Sequence, residues 1–129
     1  MKLNTASHSR LRGVHPDLIS VVMRCAADWA DSYTGFIVTC GLRTPEEQKQ
    51  LKTKGASKTL RSRHLTGHAV DLACTLDGQV RWDWPLYNKL AKAMKAAAKK
   101  EGVSLEWGGD WVSFKDGPHF QLPWRKYPA

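Results

Sequence analysis

Apolar residues recur at three- and four-residue intervals along HPDLISVVMRCAADWAD, where Leu18, Val21, Val22, Cys25, Ala26 and Trp29 fall on one stripe. That spacing predicts an amphipathic helix opening at Pro16, whose missing N–H costs nothing in a first turn. GFIVTCG, a short β-branched and aromatic run between glycines, predicts a strand. In TPEEQKQLKTKG, Thr44 is placed to cap a second helix, Pro45 to begin it, Glu47 to close a capping box and Gly55 to stop it. Residues 56–66 are polar, basic and without period, and read as a long exposed loop of the kind that carries function. HAVDLACT alternates, with Ala69, Asp71 and Ala73 on one face and Val70, Leu72 and Cys74 on the other, and LDG turns it back into QVRWDW as a hairpin. Leu86, Leu90, Ala93, Met94 and Ala97 form the stripe of a lysine-covered third helix that Gly102 ends. VSLEWGGDWVSFKDGPHFQLPW reads as short strands joined by glycine-rich turns. These elements predict one α+β domain over residues 1–129, a small, mainly antiparallel sheet flanked by about three helices.

Composition narrows the setting. No apolar run reaches the roughly 18 residues that span a bilayer, and MKLNTASHSRLRG lacks the apolar segment of a secretory signal, so synthesis and release into a cytoplasm are expected. Cys25, Cys40 and Cys74 have no CxxC spacing and sit in apolar contexts, which predicts buried thiols. Twenty Lys and Arg against twelve Asp and Glu give +8, a balance that favours a polyanionic partner: nucleic acid, an anionic membrane face or an acidic wall polymer. The basic clusters KQLKTKGASKTLRSR and KLAKAMKAAAKK read as solvated faces more readily than as binding sites. With no RNP-type aromatics, zinc-finger spacing or basic heptads, specific nucleic-acid recognition is not expected.

The chemistry concentrates in SRHLTGHAVDLA. On a helix, His64 and His68 would share one face, as in HExxH sites, but Gly67 and the strand pattern after it argue against a helix. The alternative sets His64 and Asp71 on either side of a tight turn at Gly67, and a catalytic zinc site would then need a third protein ligand from elsewhere. KDGPHFQL offers one, because Pro118 keeps Gly117 out of helical geometry and directs Asp116 and His119 along an extended segment. Two neutral imidazoles and one carboxylate leave a zinc ion enough positive charge to acidify water, and Asp116 could take the proton.

SRHLTGHAVD resembles the SxHxxGxAxD motif, and DGPHF the later carboxylate-x-x-His motif, of the zinc D-Ala-D-Ala carboxypeptidase and VanY-like peptidase family. EWGGDW together with GVHPDL is similar in particular to its L-alanyl-D-glutamate endopeptidase branch, the small bacteriophage endolysins. The similar segments run in order over residues 11–122. The resemblance implies one zinc per chain held by His64, Asp71 and His119, Asp116 as general base, and Arg43 supporting the substrate carbonyl as its oxygen becomes negative. It implies cleavage of the L-Ala-D-Glu amide in peptidoglycan stem peptides, by a monomer made in the host cytoplasm and acting on the wall during lysis. Ser62, heading the motif, is expected to position substrate or the groups around the ligands. Asp116 stands where the carboxypeptidase branch often has Glu, which fits the endopeptidase branch better; His68 occupies a free position and receives no ligand role.

Plainer roles stand beside these. Asp116 could cap an Asp-Gly turn, and Arg43 could pair with Glu46 or Glu47 on the surface. Trp107 and Trp111, bracketing Gly108 and Gly109, could wall a substrate groove or fill the core, and Asp110 could cap that turn or fix a polar neighbour. His8 and His15 read as structural. The rival activities are D-Ala-D-Ala carboxypeptidase chemistry on the same site and a non-catalytic, zinc-folded module that binds wall or nucleic acid.

Overall fold

Thr44 accepts from the Glu47 N–H at 3.1 Å while the Glu47 carboxylate accepts from the Thr44 N–H at 3.0 Å, so the reciprocal cap expected of TPEE is formed. The computed structural model in which this is seen describes residues 1–55 and 62–128. In chain order it contains α1 (Thr5–Arg10), α2 (Pro16–Ala27), β1 (Thr34–Cys40), α3 (Pro45–Thr53), β2 (Ala69–Leu76), β3 (Gln79–Arg81), α4 (Trp84–Glu101), β4 (Glu106–Trp107) and β5 (His119–Gln121). Single 3-10 turns span Arg63–Thr66 and Gly108–Asp110.

The sheet runs β1-β2-β5-β4 with β3 paired to β2, and every pairing is antiparallel. Asp77 and Gly78 both have positive φ, the two-residue loop whose twist matches a hairpin. On one face of the sheet Phe36, Val38, Val70, Leu72, Cys74 and Phe120 pack under α2 and α4, which contribute Leu18, Val21, Val22, Leu90 and Met94. A fully buried Leu or Phe is worth roughly 1.5–3 kcal/mol, and none of the candidate metal ligands belongs to this core. Asp71 stands on the other face, between Ala69 and Ala73.

The structure adds one helix to the roughly three expected and redraws two boundaries. The described residues contain four α-helices rather than three, because TASHSR folds as α1 with no apolar stripe. Asn4 caps it by accepting from the Ser7 N–H at 2.8 Å; buried Ser7 Oγ then accepts from the Val38 N–H at 2.9 Å, and Arg10 donates to the Val38 carbonyl at 3.1 Å. This helix covers the free edge of β1 with polar bonds, and hydrophobic periodicity does not detect it. The loop expected over residues 56–66 ends in the 3-10 turn Arg63–Thr66, while residues 56–61 lie outside the described residues. The return strand of the hairpin stops at Arg81, since Asp83 already occupies the N-cap position of α4.

All three cysteines are free thiols. Burial pushes Cys25 and Cys74 up to about 12, as expected of inert core groups, but Cys40 is only half-buried and borders the site described next. No described helix is long and apolar enough to cross a membrane.

Candidate active site

Sheet register assembles most of the site. In the β2–β5 ladder Asp71 is opposite His119, and in the β4–β5 ladder Glu106 is opposite Gln121. His119 and Gln121 are two residues apart and so share a face, while Phe120 between them points into the core. His64 arrives from the turn before β2. Ser62 Oγ accepts from its N–H at 3.1 Å, which makes Ser62 a cap for the turn, and the chain reverses at Gly67 with φ +75°. Only glycine suits that reversal, since a Cβ there would lie 2.3 Å from the Gly13 carbonyl oxygen.

Asp71 Oδ1 lies 3.3 Å from His64 Nε2 and 3.3 Å from His119 Nδ1. Both imidazoles present lone pairs to it. His64 Nδ1 is 2.8 Å from the Gly41 carbonyl and must donate there, leaving Nε2, which is buried and has no hydrogen-bond partner. His119 Nε2 is 2.7 Å from Gln121 Oε1 and donates to it, leaving Nδ1 as the acceptor. Three acceptors converging in a protein interior repel one another unless a cation sits among them. A proton can serve: burial opposes charge on His64, but hydrogen bonds to Asp71 and Cys40 and the Asp71 charge outweigh it and raise His64 to about 10. For Asp71, burial favours the neutral acid, and the neighbouring His119 and His64 overcome it and hold the carboxyl well below its usual range. A metal ion satisfies the same atoms. Two overlapping groups could hold one, Cys40 with His64 and Asp71, and Asp71 with Asp116 and His119, with ligand atoms within 4.8 Å of one another in each.

Arg43 lines the other side of Asp71, with Nη2 3.7 Å from Oδ2. Its fork is held by fully buried Gln48, whose Oε1 accepts from Nη1 at 2.6 Å, and by Cys40 Sγ, 3.3 Å from Nη2. The surface pairing weighed for Arg43 is not what fixes it, since Glu47 is engaged in the α3 cap. Neither Gln48 nor Cys40 was expected at the site. The available signal for Gln48 was its place three residues before Leu51 on the inner side of α3.

Asp116 is exposed at the rim. Lost hydration, then the charge of Asp71, raise its carboxyl above the ordinary value. Its N–H donates to the Gly108 carbonyl at 3.0 Å, and a Cβ on Gly108 would come within 2.4 Å of the Asp116 carbonyl oxygen. The EWGGDW segment thus cradles the KDGPH turn. Trp107 belongs to that cradle and is not a wall of an open groove: it is 8% exposed, packs on Phe120, and donates from its indole to the Gly117 carbonyl at 2.7 Å. Half-buried Trp111 instead stands beside the site, its ring 5.2 Å from that of His119. Asp110 pairs with Lys95 at 2.7 Å. His68 lies apart, against Thr66 at 2.6 Å and the ring of His15, which caps α2.

Comparison with known proteins places the chain in a family. A family model described as phage L-alanyl-D-glutamate peptidase matches residues 1–122. The chain is 36% identical over 112 residues to the L-alanyl-D-glutamate peptidase of Listeria phage A118, covering 86% of this chain and 39% of that protein, so it spans well under half of that relative. It is 31% identical over 119 residues to the L-alanyl-D-glutamate peptidase of Escherichia phage T5, covering 89% and 85%. The peptidoglycan L-alanyl-D-glutamate endopeptidase CwlK of Bacillus subtilis strain 168 is 30% identical over 122 residues, covering 84% and 73%. The crystal structure of the Serratia marcescens L-Ala D-Glu endopeptidase ChiX matches with a TM-score of 0.89 and 46% identity over 99% of this chain and 95% of that one. With nearly its whole length matched in sequence and in fold, the chain belongs to the phage L-alanyl-D-glutamate peptidase family.

Proposed function

We propose that this chain is a zinc endopeptidase that hydrolyses the L-Ala-D-Glu amide of peptidoglycan stem peptides, an endolysin made in the host cell and acting on its wall. The observation that carries the reading is the convergence of His64 Nε2 and His119 Nδ1 on Asp71 Oδ1, both at 3.3 Å, with Asp116 at the open rim. His64, Asp71 and His119 would hold one zinc per chain; two neutral imidazoles and one carboxylate are a donor set that suits zinc and leaves a position open. When bound, zinc would acidify a water molecule and polarise the scissile carbonyl.

The chain's own groups do the rest. Asp116 accepts the water proton and hands it to the leaving amine; burial and the Asp71 charge raise its carboxyl above the ordinary value. The Arg43 guanidinium, fixed by Gln48 and Cys40, faces the carbonyl oxygen as negative charge develops. Trp111 walls the cleft beside His119. The +8 balance speeds approach to stem peptides and wall polymers that carry carboxylates or phosphates.

Zinc-dependent release of soluble fragments from purified cell walls, with the new peptide ends identified by mass spectrometry, tests the reading. New N-terminal D-Glu supports it; release of terminal D-Ala would replace it with carboxypeptidase activity. Zinc binding without any cleavage would leave a wall-binding module.

A further inference from the structure

Strand β5 carries two buried polar side chains on the site face, His119 and Gln121, each 7% exposed. A buried amide must satisfy both of its ends. Gln121 Oε1 is 2.7 Å from His119 Nε2, and Gln121 Nε2 donates to Glu106 Oε2 at 3.1 Å. The order of this chain is forced. If the amide flipped, its carbonyl would face the Glu106 carboxylate, acceptor against acceptor. Glu106 therefore orients the amide, and the amide oxygen demands a proton on His119 Nε2. In the neutral ring His119 Nδ1 then carries the lone pair, 3.3 Å from Asp71 Oδ1.

We infer that Gln121 is a positioning residue for metal binding: held by Glu106, it locks neutral His119 in the Nε2–H tautomer and so makes Nδ1 the ligand atom. The device is built by register, since Asp71 pairs with His119 and Glu106 with Gln121 across successive ladders on one face. An amide between the imidazole and the carboxylate fixes the tautomer while keeping a second anion away from the metal ligands. Partners of this kind orient the ligand ring, and their loss commonly weakens metal binding by about ten- to a hundredfold. The inference rests on the zinc reading for its functional meaning, but the tautomer is a property of the metal-free chain.

Two measurements test it on the full chain: zinc affinity by competition with a chromophoric chelator, and the His119 tautomer in metal-free protein from imidazole 15N resonances. Gln121→Met, similar in shape but without the acceptor, should weaken zinc binding by about ten- to a hundredfold and let both tautomers appear. The double exchange Gln121→Glu with Glu106→Gln should restore both, because the carboxylate then accepts from His119 and the amide at 106 donates to it. Wild-type affinity with a pure Nε2–H tautomer in Gln121→Met, or a folded double exchange that restores neither, would overturn the assignment. If Gln121→Met fails to fold, the wild-type tautomer decides, and an Nδ1–H form overturns it. A wild-type chain that binds no zinc would remove the zinc reading, while the tautomer still judges Gln121.

Discussion

Asp71 and His119 stand opposite each other in the β2–β5 ladder, with Asp71 Oδ1 3.3 Å from His119 Nδ1. A slip of one residue in that pairing would turn His119 into the core and Phe120 out to the site. The apolar face that buries Val70, Leu72 and Phe120 thus also fixes the pair that would grip a metal.

His119→Ala should therefore abolish stoichiometric zinc binding without unfolding the chain, because the core lies on the opposite face of the sheet. Metal analysis after dialysis, beside a thermal melt, checks both halves. Retention of one zinc with unchanged affinity would show that His119 is not a ligand.

Arg43→Lys should lower the catalytic constant by about ten- to a thousandfold with zinc still bound, because an ammonium cannot keep the bonds to Gln48 and Cys40 while facing the substrate oxygen. Steady-state kinetics on zinc-loaded protein decide, and equal activity would make Arg43 a structural residue.

What could be read in the sequence divides along physical lines. The α3 cap, the α2 stripe and the turn at Gly67 depend on neighbours within a few residues, and all three form as expected. The period of two likewise put Asp71 on the face away from Val70 and Leu72. Helix α1 was hidden because side-chain hydrogen bonds to β1 attach it. Gln121 and Glu106 were invisible for another reason: each is unremarkable until strand register sets them side by side. Trp107 and Trp111 are four residues apart in a glycine-rich turn, and only the packing of Trp107 on Phe120 tells the buried ring from the one beside the site.

The turn before β2 should be intolerant of a side chain. Left-handed backbone costs a non-glycine residue about 1–2 kcal/mol. Gly67→Ala would add a clash with the Gly13 carbonyl, 2.3 Å from the new Cβ, so a loss of about 2 kcal/mol or more is expected, with weaker zinc binding as His64 shifts. Gly55→Ala has a similar φ of +76° but nothing within 4 Å, and should cost the backbone part alone. Urea denaturation of the two variants measures the difference; equal losses would mean that the chain around Gly13 yields freely.

Metal-free protein should lose stability as pH rises. His64 is held near 10 against 6.5 for the free side chain, so the folded state binds its proton more tightly than the unfolded state. The resulting stabilisation is complete below pH ~6.5 and is lost as pH climbs through the folded value. Zinc bound as proposed would take the place of that proton, so the zinc-loaded chain should show a flatter profile over the same window. Melting temperatures with and without chelator, from about pH 6 to 10, test this. A metal-free melting point constant across the window would argue against the convergence on Asp71.

Asp116 presents the sharpest division of roles, because its carboxylate lies in one of the groups able to hold a metal and also stands exposed at the rim. A ligand replaced by its amide should release zinc, whereas a general base replaced by its amide should keep zinc and lose turnover. Asp116→Asn is expected to retain zinc while turnover falls by about a hundredfold or more. Asp71→Asn should do the reverse, since Asp71 Oδ1 faces both imidazoles. The raised pKa of Asp116 adds a second readout: its protonated form cannot accept a proton, so the acidic limb of the rate profile should follow it and vanish from the residual activity of Asp116→Asn. Zinc titration and pH-rate profiles on the two variants separate the roles. Near-normal cleavage by zinc-loaded Asp116→Asn would exclude Asp116 as the base.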